Sequence, residues 1–508
     1  MPAAGGLLLG LGGLALAKWR PRAAADPIEA NALYGGRMSM LDSLVVVGQT
    51  VISSGFGASV GLEAAYTQIS SALGSWLGRS FRVRRAEMRL LVGCGAAGAI
   101  ASAFNAPLTG AFYAFELIIG TYNLASLAPV AAATVTSLLV VRLVRPATHT
   151  IEVDSLTSVG PSDVLPILTL ALVCALAAIV VMRSVTLSEQ VFRRSRIPGW
   201  LRPCLGGCVV GGLALITPQV LSSGHSALYV DLPSQFTLAQ LALLAVLKGL
   251  ASAISIGSGF RGGLFFASLF LGALVGKFFF GVLLLTSGFV RTLPEPVYAV
   301  IGMSSLAVAI VGGPLTMSFL ALESTGNLMV TFVAFAASVV SSLAVRRLFG
   351  YSFSTWRFHL RGEAIRSAVD IGWMHSLTVG RMMNKEFSTV PLGSSVATVR
   401  GQFALGSTQR LMALDEQGRY AGMLLVQDLY AVEPDVSVSE LLHQQREMLL
   451  PDMVVKEAIA LFEKTETDAL AVVDNPENMR PVGLLTEQFA LRQYSEQLDR
   501  QRRVLSGE

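Results

Sequence analysis

Charged side chains are scarce in this sequence of 508 residues: Asp, Glu, Lys and Arg make up 14% of it, and apolar residues make up 53%. Soluble globular proteins carry roughly 25% charged residues, so the composition indicates a membrane protein and excludes intrinsic disorder. Cysteine is also rare, with four residues. Cys204 and Cys208 have no His or carboxylate near them in sequence, so no metal site is predicted and the cysteines are interpreted as buried apolar residues.

The few charges divide the chain into two parts near residue 370. Residues 1–370 hold 25 basic and 15 acidic side chains, whereas residues 371–508 hold 13 and 19. Only the first part has long stretches without any formal charge, most of them close to or above the roughly 20 residues that span a bilayer as a helix. The apolar residues 5–17 are followed by Lys18 and Arg20 instead of a cleavage site, which favours a membrane helix over a signal peptide. The uncharged stretches are 43–62, 90–115, 117–141, 164–182, 203–230, 296–322 and 324–345.

The membrane part contains an internal repeat. Residues 105–116 (NAPLTGAFYAFE) match residues 312–323 (GGPLTMSFLALE), and upstream residues 57–63 (GASVGLE) match residues 259–265 (GFRGGLF). A duplicated membrane unit is typical of transporters and pores with a site between the halves near the bilayer midplane. Gly and Pro inside these stretches also predict interrupted helices.

The glycine motifs suggest an anion site. A glycine-rich turn that opens a helix lets backbone N–H groups approach a ligand, and the positive end of the helix dipole favours an anion. Residues 57–69 and 262–276 contain no Lys or Arg, whose burial would hold the ion too tightly to release. Close helix packing is the alternative explanation for these glycines.

The acidic residues of the membrane part are expected to have a structural or functional role, because insertion of each at the centre of a membrane helix costs roughly 2.5–3.5 kcal/mol. Glu116 and Glu323 occupy equivalent repeat positions, which favours a structural role in hydrogen bonding to backbone groups of an interrupted helix. Glu63 is matched by Phe265, and this asymmetry makes it the better functional candidate. A carboxylate beside an anion site would compete with the anion until protonation releases it.

These motifs together resemble the CLC family of chloride channels and chloride/proton antiporters, over most of residues 1–370. Residues 61–69 (GLEAAYTQI) are similar to the family's GREGPxxQI segment, and residues 96–116 to its AAGxxAAFNAPLAGxxFxxE segment. Residues 218–225 (PQVLSSGH) resemble PxxLGxGY, and residues 257–276 resemble GSGxxGGxFxPxLxxGAxxG. The resemblance implies that Glu63 is the gating glutamate and that the amides of Leu264 and Phe265 face the anion. The full set of predicted backbone anion ligands is Gly61, Leu62, Ala64, Gly263, Leu264, Phe265 and Phe266.

The sequence also departs from the family pattern. Residues 22–30 (RAAADPIEA) lack the anion-binding serine, and the family's tyrosine falls near Ser354, which is kept as a possible anion contact. Leu117 stands where antiporters of the family carry a proton-transferring glutamate, so channel-like conduction is slightly favoured. A proton-coupled antiporter and a non-conducting membrane sensor with a degenerate pore remain alternatives.

The acidic C-terminal part carries a second duplication. Residues 411–429 and 470–489 each predict a strand, a polar turn, a strand and a helix start, and predicted helices precede them at 396–404 and 455–464. Two such units after a CLC-like pore resemble a tandem CBS pair. The resemblance makes Asp428 and Thr486 possible nucleotide-binding residues, but each half-site lacks its second residue, so adenine nucleotide binding and a structural or dimer-contact role both stay open. His443 and His375 are interpreted as surface or core histidines.

The prediction is therefore an all-α polytopic membrane protein with a duplicated, inverted repeat, followed by a small α/β CBS-like pair. The domains are the pore at 1–370, with halves 1–160 and 161–350, and CBS-like units at 376–433 and 437–503. The expected protein is not an enzyme: it needs no cofactor or metal, moves chloride or similar small anions, and binds no nucleic acid. We expect a homodimer in a bacterial inner membrane or another plasma membrane, with the termini and CBS pair in the cytoplasm. Basic clusters such as residues 79–85 and 193–196 favour cytoplasmic loop ends, with an anion funnel as the alternative.

Overall fold

The computed structural model describes residues 1–19, 24–144, 151, 159–225, 227–228, 234–287, 293–350, 377–406 and 408–493. The chain divides into two compact units, Met1–Val369 and Asp370–Glu508. The first unit is helical and the second is mixed α/β.

The helices of the first half include two short ones that begin at a proline, α2 and α6. Asp26 caps α2, and α6 begins at Pro107 after Asn105 takes a left-handed backbone with φ of 53°. The helices are α1 (Pro2–Trp19), α2 (Pro27–Leu33), α3 (Met40–Gly55), α4 (Glu63–Ser80), α5 (Arg85–Phe104), α6 (Pro107–Tyr113), which continues as a π-helical turn (Ala114–Ile119), and α7 (Leu124–Val144).

The second half repeats the short proline-initiated helix. Gly312 and Gly313 have φ of 92° and 73°, in the region that favours glycine, and Pro314 then starts the helix. The helices are α8 (Pro161–Arg194), α9 (Arg202–Ile216), a 3-10 turn (Pro218–Val220), α10 (Leu238–Ser258), α11 (Phe265–Ser287), α12 (Glu295–Val311), α13 (Pro314–Thr325) and α14 (Leu328–Leu348).

Six helices of the described chain are long and apolar enough to cross a membrane: α5, α7, α8, α10, α11 and α14. Shorter apolar helices such as α3, α9 and α12 accompany them. The shorter helices agree with the interrupted helices predicted from Gly and Pro. The six long apolar helices make the chain an integral membrane protein.

The crossing of α11 and α12 forms the centre of the core. Every residue from Val297 to Val311 is buried. A Cβ on Gly272 would lie 2.3 Å from the carbonyl oxygen of Gly302, and a Cβ on Gly302 would lie 2.3 Å from that of Gly272. The absence of side chains at both positions lets the two backbones touch.

The C-terminal unit contains two similar three-stranded sheets, with strand orders β1-β2-β3 and β4-β5-β6. In each, a parallel pair is followed by an antiparallel pair. Apolar residues of both sheets, including Met412, Met423 and Ala471, share one cluster. The strands are β1 (Thr389–Pro391), β2 (Arg410–Leu414), β3 (Tyr420–Leu425), β4 (Met448–Leu449), β5 (Ala469–Val473) and β6 (Pro481–Thr486). The helices are α15 (Val379–Met382), α16 (Val396–Gln402), α17 (Val426–Ala431) and α18 (Val455–Thr465).

The predicted fold class is confirmed: a helical membrane unit precedes an α/β pair built from two like halves. The helix predicted over 455–464 is α18, and the one predicted over 396–404 is α16, which ends at Gln402. Asp415 stabilises the turn between β2 and β3, where the N–H groups of Arg419 and Gln417 donate to its carboxylate. These bonds, together with the Arg419 side chain, lower the pKa of Asp415.

Candidate functional site

The two glycine motifs meet through a two-way backbone bridge between the starts of α4 and α11. The N–H of Gly61 donates to the carbonyl of Gly263 at 2.9 Å, and the N–H of Gly263 donates to the carbonyl of Gly61 at 3.1 Å. Both amides therefore already have an acceptor, which corrects the expectation that Gly61 and Gly263 offer N–H groups to an anion. Their function in the fold is to hold the two helix starts together.

The Glu63 carboxylate lies on the first turn of α11. Its Oε1 accepts a hydrogen bond of 3.0 Å from the N–H of Phe266. Its Oε2 is buried and has no hydrogen-bond partner among the described residues, and the residue as a whole is 5% exposed. The positive end of a helix dipole favours a negative group at this place. The Glu63 carboxyl group thus occupies a position where a free anion would also be stabilised.

The other predicted anion-site residues lie beside this bond. The amides in the first turn of α11 have no acceptor within the helix, and Phe266 is the one that binds Glu63. The carbonyl of Leu264 accepts from the N–H of Ser268 at 2.8 Å. Leu264 and Phe265 face one cavity, and Leu62 and Phe266 face another.

Glu63 separates these two cavities, which we call cavity A and cavity B. Cavity A has a volume of about 190 Å³ and is bordered on α4 by Ala64, Thr67 and Gln68. Cavity B has a volume of about 750 Å³. It is bordered by Leu62, which caps α4, and by Tyr66, Ile69 and Ser70 of α4. At roughly 100° of rotation per residue, the two sets lie on opposite flanks of α4 with Glu63 between them. A movement of one side chain therefore changes the boundary between both cavities.

Cavity A contains acidic residues that sequence reasoning missed. Asp26 and Glu29 line it together with Arg261. The Asp26 Oδ1 accepts from the N–H of Glu29 at 2.8 Å, which caps α2. The signal in the sequence is the Asp-Pro pair, which is typical of the start of a helix.

Glu116 and Glu323 form a reciprocal pair of caps between the repeats. Glu116 accepts from the N–H groups of Leu315 and Thr316 at 3.0 and 2.8 Å, at the start of α13. Glu323 accepts from the N–H groups of Leu108 and Thr109 at 2.7 and 2.9 Å, at the start of α6. The backbone hydrogen bonds predicted for these carboxylates are present, but each crosses to the opposite half.

Lys248 is a buried cation that sequence reasoning also missed. It is fully buried in α10, and its Nζ donates to the carbonyl of Val220 at 3.2 Å and to that of Ser222 at 2.8 Å. A single Lys in an otherwise uncharged helix was the signal for it. It anchors the segment between α9 and α10, part of which borders cavity B.

The remaining predicted residues lie outside this site. Ser354 falls outside the described residues. Asp428 lies in α17 and its Oδ2 is 2.8 Å from Nε2 of His443, which is exposed, in agreement with its interpretation as a surface histidine. Thr486 ends β6 in the other sheet, opposite Ala469. The two possible nucleotide-binding residues therefore belong to separate halves of the C-terminal unit.

Comparison with known proteins identifies the family. A family model described as voltage gated chloride channel matches residues 5–346, well over half of the chain. The chain belongs to the voltage-gated chloride channel family. A CBS domain model matches residues 438–488. The CLC and CBS resemblances found in the sequence are thereby confirmed.

Individual relatives support the same family. A ClcB-like chloride channel protein of Ralstonia nicotianae is 36% identical over 332 residues, covering 64% of this chain and 77% of the relative. The voltage-gated ClC-type chloride channel ClcB of Salmonella typhimurium is 31% identical over 355 residues, covering 68% and 84%.

Solved CLC structures share the fold at low identity. A slow cyanobacterial Cl⁻/H⁺ antiporter matches with a TM-score of 0.62 and 22% identity, covering 71% of this chain and 86% of that one. A eukaryotic CLC transporter matches with a TM-score of 0.58 and 16% identity, covering 96% and 89%. The ClcB relatives are named as channels, whereas the cyanobacterial structure is named as an antiporter, so these names do not distinguish the two modes of transport.

Proposed function

We propose that this CLC-family chain transports chloride or a similar small anion through a pathway that Glu63 gates, and that it conducts as a channel. The observation that carries the proposal is the hydrogen bond from the Phe266 N–H to the buried Glu63 carboxylate, between cavities A and B. No catalytic chemistry is required of any residue, so the chain acts as a transporter and not as an enzyme.

The gate works by competition for the first turn of α11. While Glu63 is charged, its carboxylate occupies the Phe266 amide. Protonation removes the charge and weakens that hydrogen bond, so the side chain leaves and an anion takes the amide instead. Backbone amides hold the anion less firmly than a buried Lys or Arg would, which allows it to pass on to the next cavity.

Leu117 supports channel-like conduction. It packs, partly buried, against apolar residues of the core clusters and offers no group that exchanges protons. Antiporters of the family carry a proton-transferring glutamate next to the position of Glu116, and Leu117 does not supply one.

Asp26 favours the second candidate function, a proton-coupled antiporter. It lines cavity A together with Glu63, so it would supply the second carboxylate from the cap of α2 instead of from the π-helical turn that follows α6. The two candidates differ in a measurable quantity, the number of protons moved per anion.

A flux assay on purified protein in liposomes tests the proposal. Wild type and Glu63→Gln are compared for uptake of radioactive chloride while proton movement is recorded. Glu189→Gln is the matched control, because Glu189 forms an exposed pair with Arg193 at the end of α8. We expect all three proteins to take up chloride. Uptake by Glu63→Gln should lack the pH dependence that titration of Glu63 causes in the other two.

Two results would overturn the proposal. Absence of flux in every protein would favour the non-conducting sensor, in line with the missing serine. Proton counter-movement in a fixed ratio to chloride in wild type would refute the channel and support the role of Asp26.

We infer further that the chain forms a homodimer in a bacterial plasma membrane, with its termini and CBS pair in the cytoplasm. The named relatives are bacterial, and the basic groups Arg79, Arg193 and Arg346 lie in the last turns of α4, α8 and α14, as cytoplasmic helix ends often do. Light scattering in detergent tests the dimer, and labelling of intact cells tests the sidedness.

We propose that the CBS pair has a structural or dimer-contact role and needs no adenine nucleotide. Asp428 is engaged with His443, and Thr486 is followed three residues later by Phe489 instead of an Asp. Both observations weaken the nucleotide sites that the CBS resemblance implies.

A further inference from the structure

Cavity B has an unusual distribution of charge. Among the described residues that line it, Glu63 supplies a carboxyl group and His225 an imidazole, the two side-chain types on its wall that ordinarily titrate at or below neutral pH. Tyr66 and Cys94 also line it, but phenols and thiols in water titrate above neutrality. The remaining wall residues are small or apolar, and none is Lys or Arg. Imidazole is therefore the cavity's source of positive charge among these residues.

The His225 ring lies next to the gate. It packs edge-on against the ring of Phe266, with centroids 4.3 Å apart and an interplanar angle of 76°. The ring of Phe104 also stacks on the ring of Phe266, with centroids 4.7 Å apart. The backbone N–H of the same Phe266 binds the Glu63 carboxylate. One residue, Phe266, thus contacts both chargeable groups.

The backbone fixes the place of His225. Lys248 holds the carbonyl of Ser222 at 2.8 Å, and the Ser222 hydroxyl donates to the carbonyl of Ser54 at 2.8 Å. Gly224 has a φ of 85°, and a Cβ there would lie 2.8 Å from the ring of Phe270. The turn before His225 is therefore constrained on three sides, and the exposed imidazole faces cavity B.

From this arrangement we propose that His225 is the anion-recruiting residue of cavity B: its protonated imidazole attracts a small monovalent anion to the chamber beside Glu63. This inference rests on the proposed transport function and specifies its entry step. A positive charge in a cavity with apolar walls concentrates anions there. Histidine changes charge between about pH 5 and 8, so recruitment falls as pH rises.

The effect has to be separated from the gate, since protonation of Glu63 also increases flux at low pH. The titratable side chains that face cavity B are Glu63 and Tyr66 from α4, Cys94 from α5 and His225 itself. The segments of α7 and α11 that line the cavity contribute Ser137, Val141 and Phe266, which carry no charge. A Glu63→Gln background removes the gate's titration and leaves that of His225.

The experiment measures chloride flux in liposomes against chloride concentration, at about pH 5.5 and about pH 8 on both sides of the membrane. Four proteins are compared in the Glu63→Gln background: the parent, His225→Gln, His225→Arg and the control His443→Gln. In the parent and the control, we expect the half-saturating chloride concentration to rise at least about threefold at the higher pH. His225→Arg should keep the low value at both pH values, and His225→Gln the high value.

Two outcomes overturn the assignment. One is a pH dependence in His225→Gln equal to that of the parent, and the other is a pH dependence that persists in His225→Arg. Because the two variants differ in charge, loss of folding in one leaves the other as the test. Absence of flux both in the Glu63→Gln parent and in wild type measured beside it would instead remove the proposed transport function, and the recruitment step with it.

Discussion

Individual side chains decide where charge is tolerated in this membrane unit. Glu63 keeps one oxygen on the Phe266 amide and leaves the other without a partner among the described residues. Lys248, in contrast, has backbone carbonyls around its ammonium group. A buried group with incomplete hydrogen bonding is costly and suits a side chain that moves, whereas a fully bonded one suits an anchor.

Replacement of the anchor should destabilise the protein. Lys248→Met leaves the buried carbonyls of Val220 and Ser222 without their donor, at an expected cost of about 3 kcal/mol. The measurement is the melting temperature in detergent, with Lys464→Met on the exposed face of α18 as control. An unchanged melting temperature in Lys248→Met would show that these carbonyls find other donors.

Sequence reasoning reached Glu63 and missed Lys248 and Asp26 for a physical reason. Glu63 stood out because its repeat partner is Phe265, so an internal comparison was possible. Lys248 and Asp26 have no counterpart in the repeat motifs. Lys248 donates to backbone carbonyls 26 and 28 residues away, and Asp26 lines cavity A together with residues from other helices. Such contacts depend on tertiary packing, which a single sequence does not contain.

At the scale of helices, the repeat produces an exchange of caps. Glu116 binds the start of α13 and Glu323 binds the start of α6. The sequence predicted that equivalent carboxylates would bond to interrupted helices. It did not predict that each would serve the other half, because repeated motifs reveal equivalence but not spatial pairing.

The caps are expected to contribute comparable stability. In Glu116→Gln, one oxygen still accepts from an N–H of α13, but the amide NH₂ replaces the second acceptor and leaves a donor facing a donor. The expected loss is about 2 kcal/mol for Glu116→Gln and for Glu323→Gln. Thermal unfolding in detergent is the readout, and Glu189→Gln should be neutral. A large loss in one variant and none in its repeat partner would contradict the reciprocal pairing.

Helix packing gives a second prediction at this scale. Gly302→Ala places a Cβ against the carbonyl of Gly272, so α11 and α12 must separate at an expected cost of about 1–3 kcal/mol. Gly212→Ala is the matched control, because nothing lies within 4 Å of its added Cβ. Ala is the better helix former, so the control should be neutral or stabilised by up to about 1 kcal/mol. Equal melting temperatures for both variants would refute the close crossing.

At the scale of the whole molecule, composition predicted where the chain divides, but it gave less information about the function. The change from basic and apolar to acidic sequence near residue 370 coincides with the boundary between the two compact units. Each C-terminal half was recognisable because strand, turn and strand are local patterns. The pairing of Asp428 with His443 was not, since it joins residues 15 apart that no periodic pattern connects.

The engaged Asp428 leads to a prediction for the full chain. Millimolar ATP or AMP should leave the melting temperature of the protein unchanged, because ligand binding stabilises only when a site exists in the folded state. Thr486→Val is compared under the same conditions. A rise in melting temperature with nucleotide concentration, lost in Thr486→Val, would establish a nucleotide site instead.

The central claim is that the Glu63 carboxylate occupies the place of the transported anion at the start of α11. Anomalous diffraction from crystals grown in bromide tests it most directly. In Glu63→Gln, we predict a bromide peak within hydrogen-bonding reach of the Phe266 amide, and in wild type at neutral pH no peak there, because the carboxylate fills the position. A bromide peak at that amide in wild type with Glu63 unmoved, or its absence from Glu63→Gln, would contradict the account.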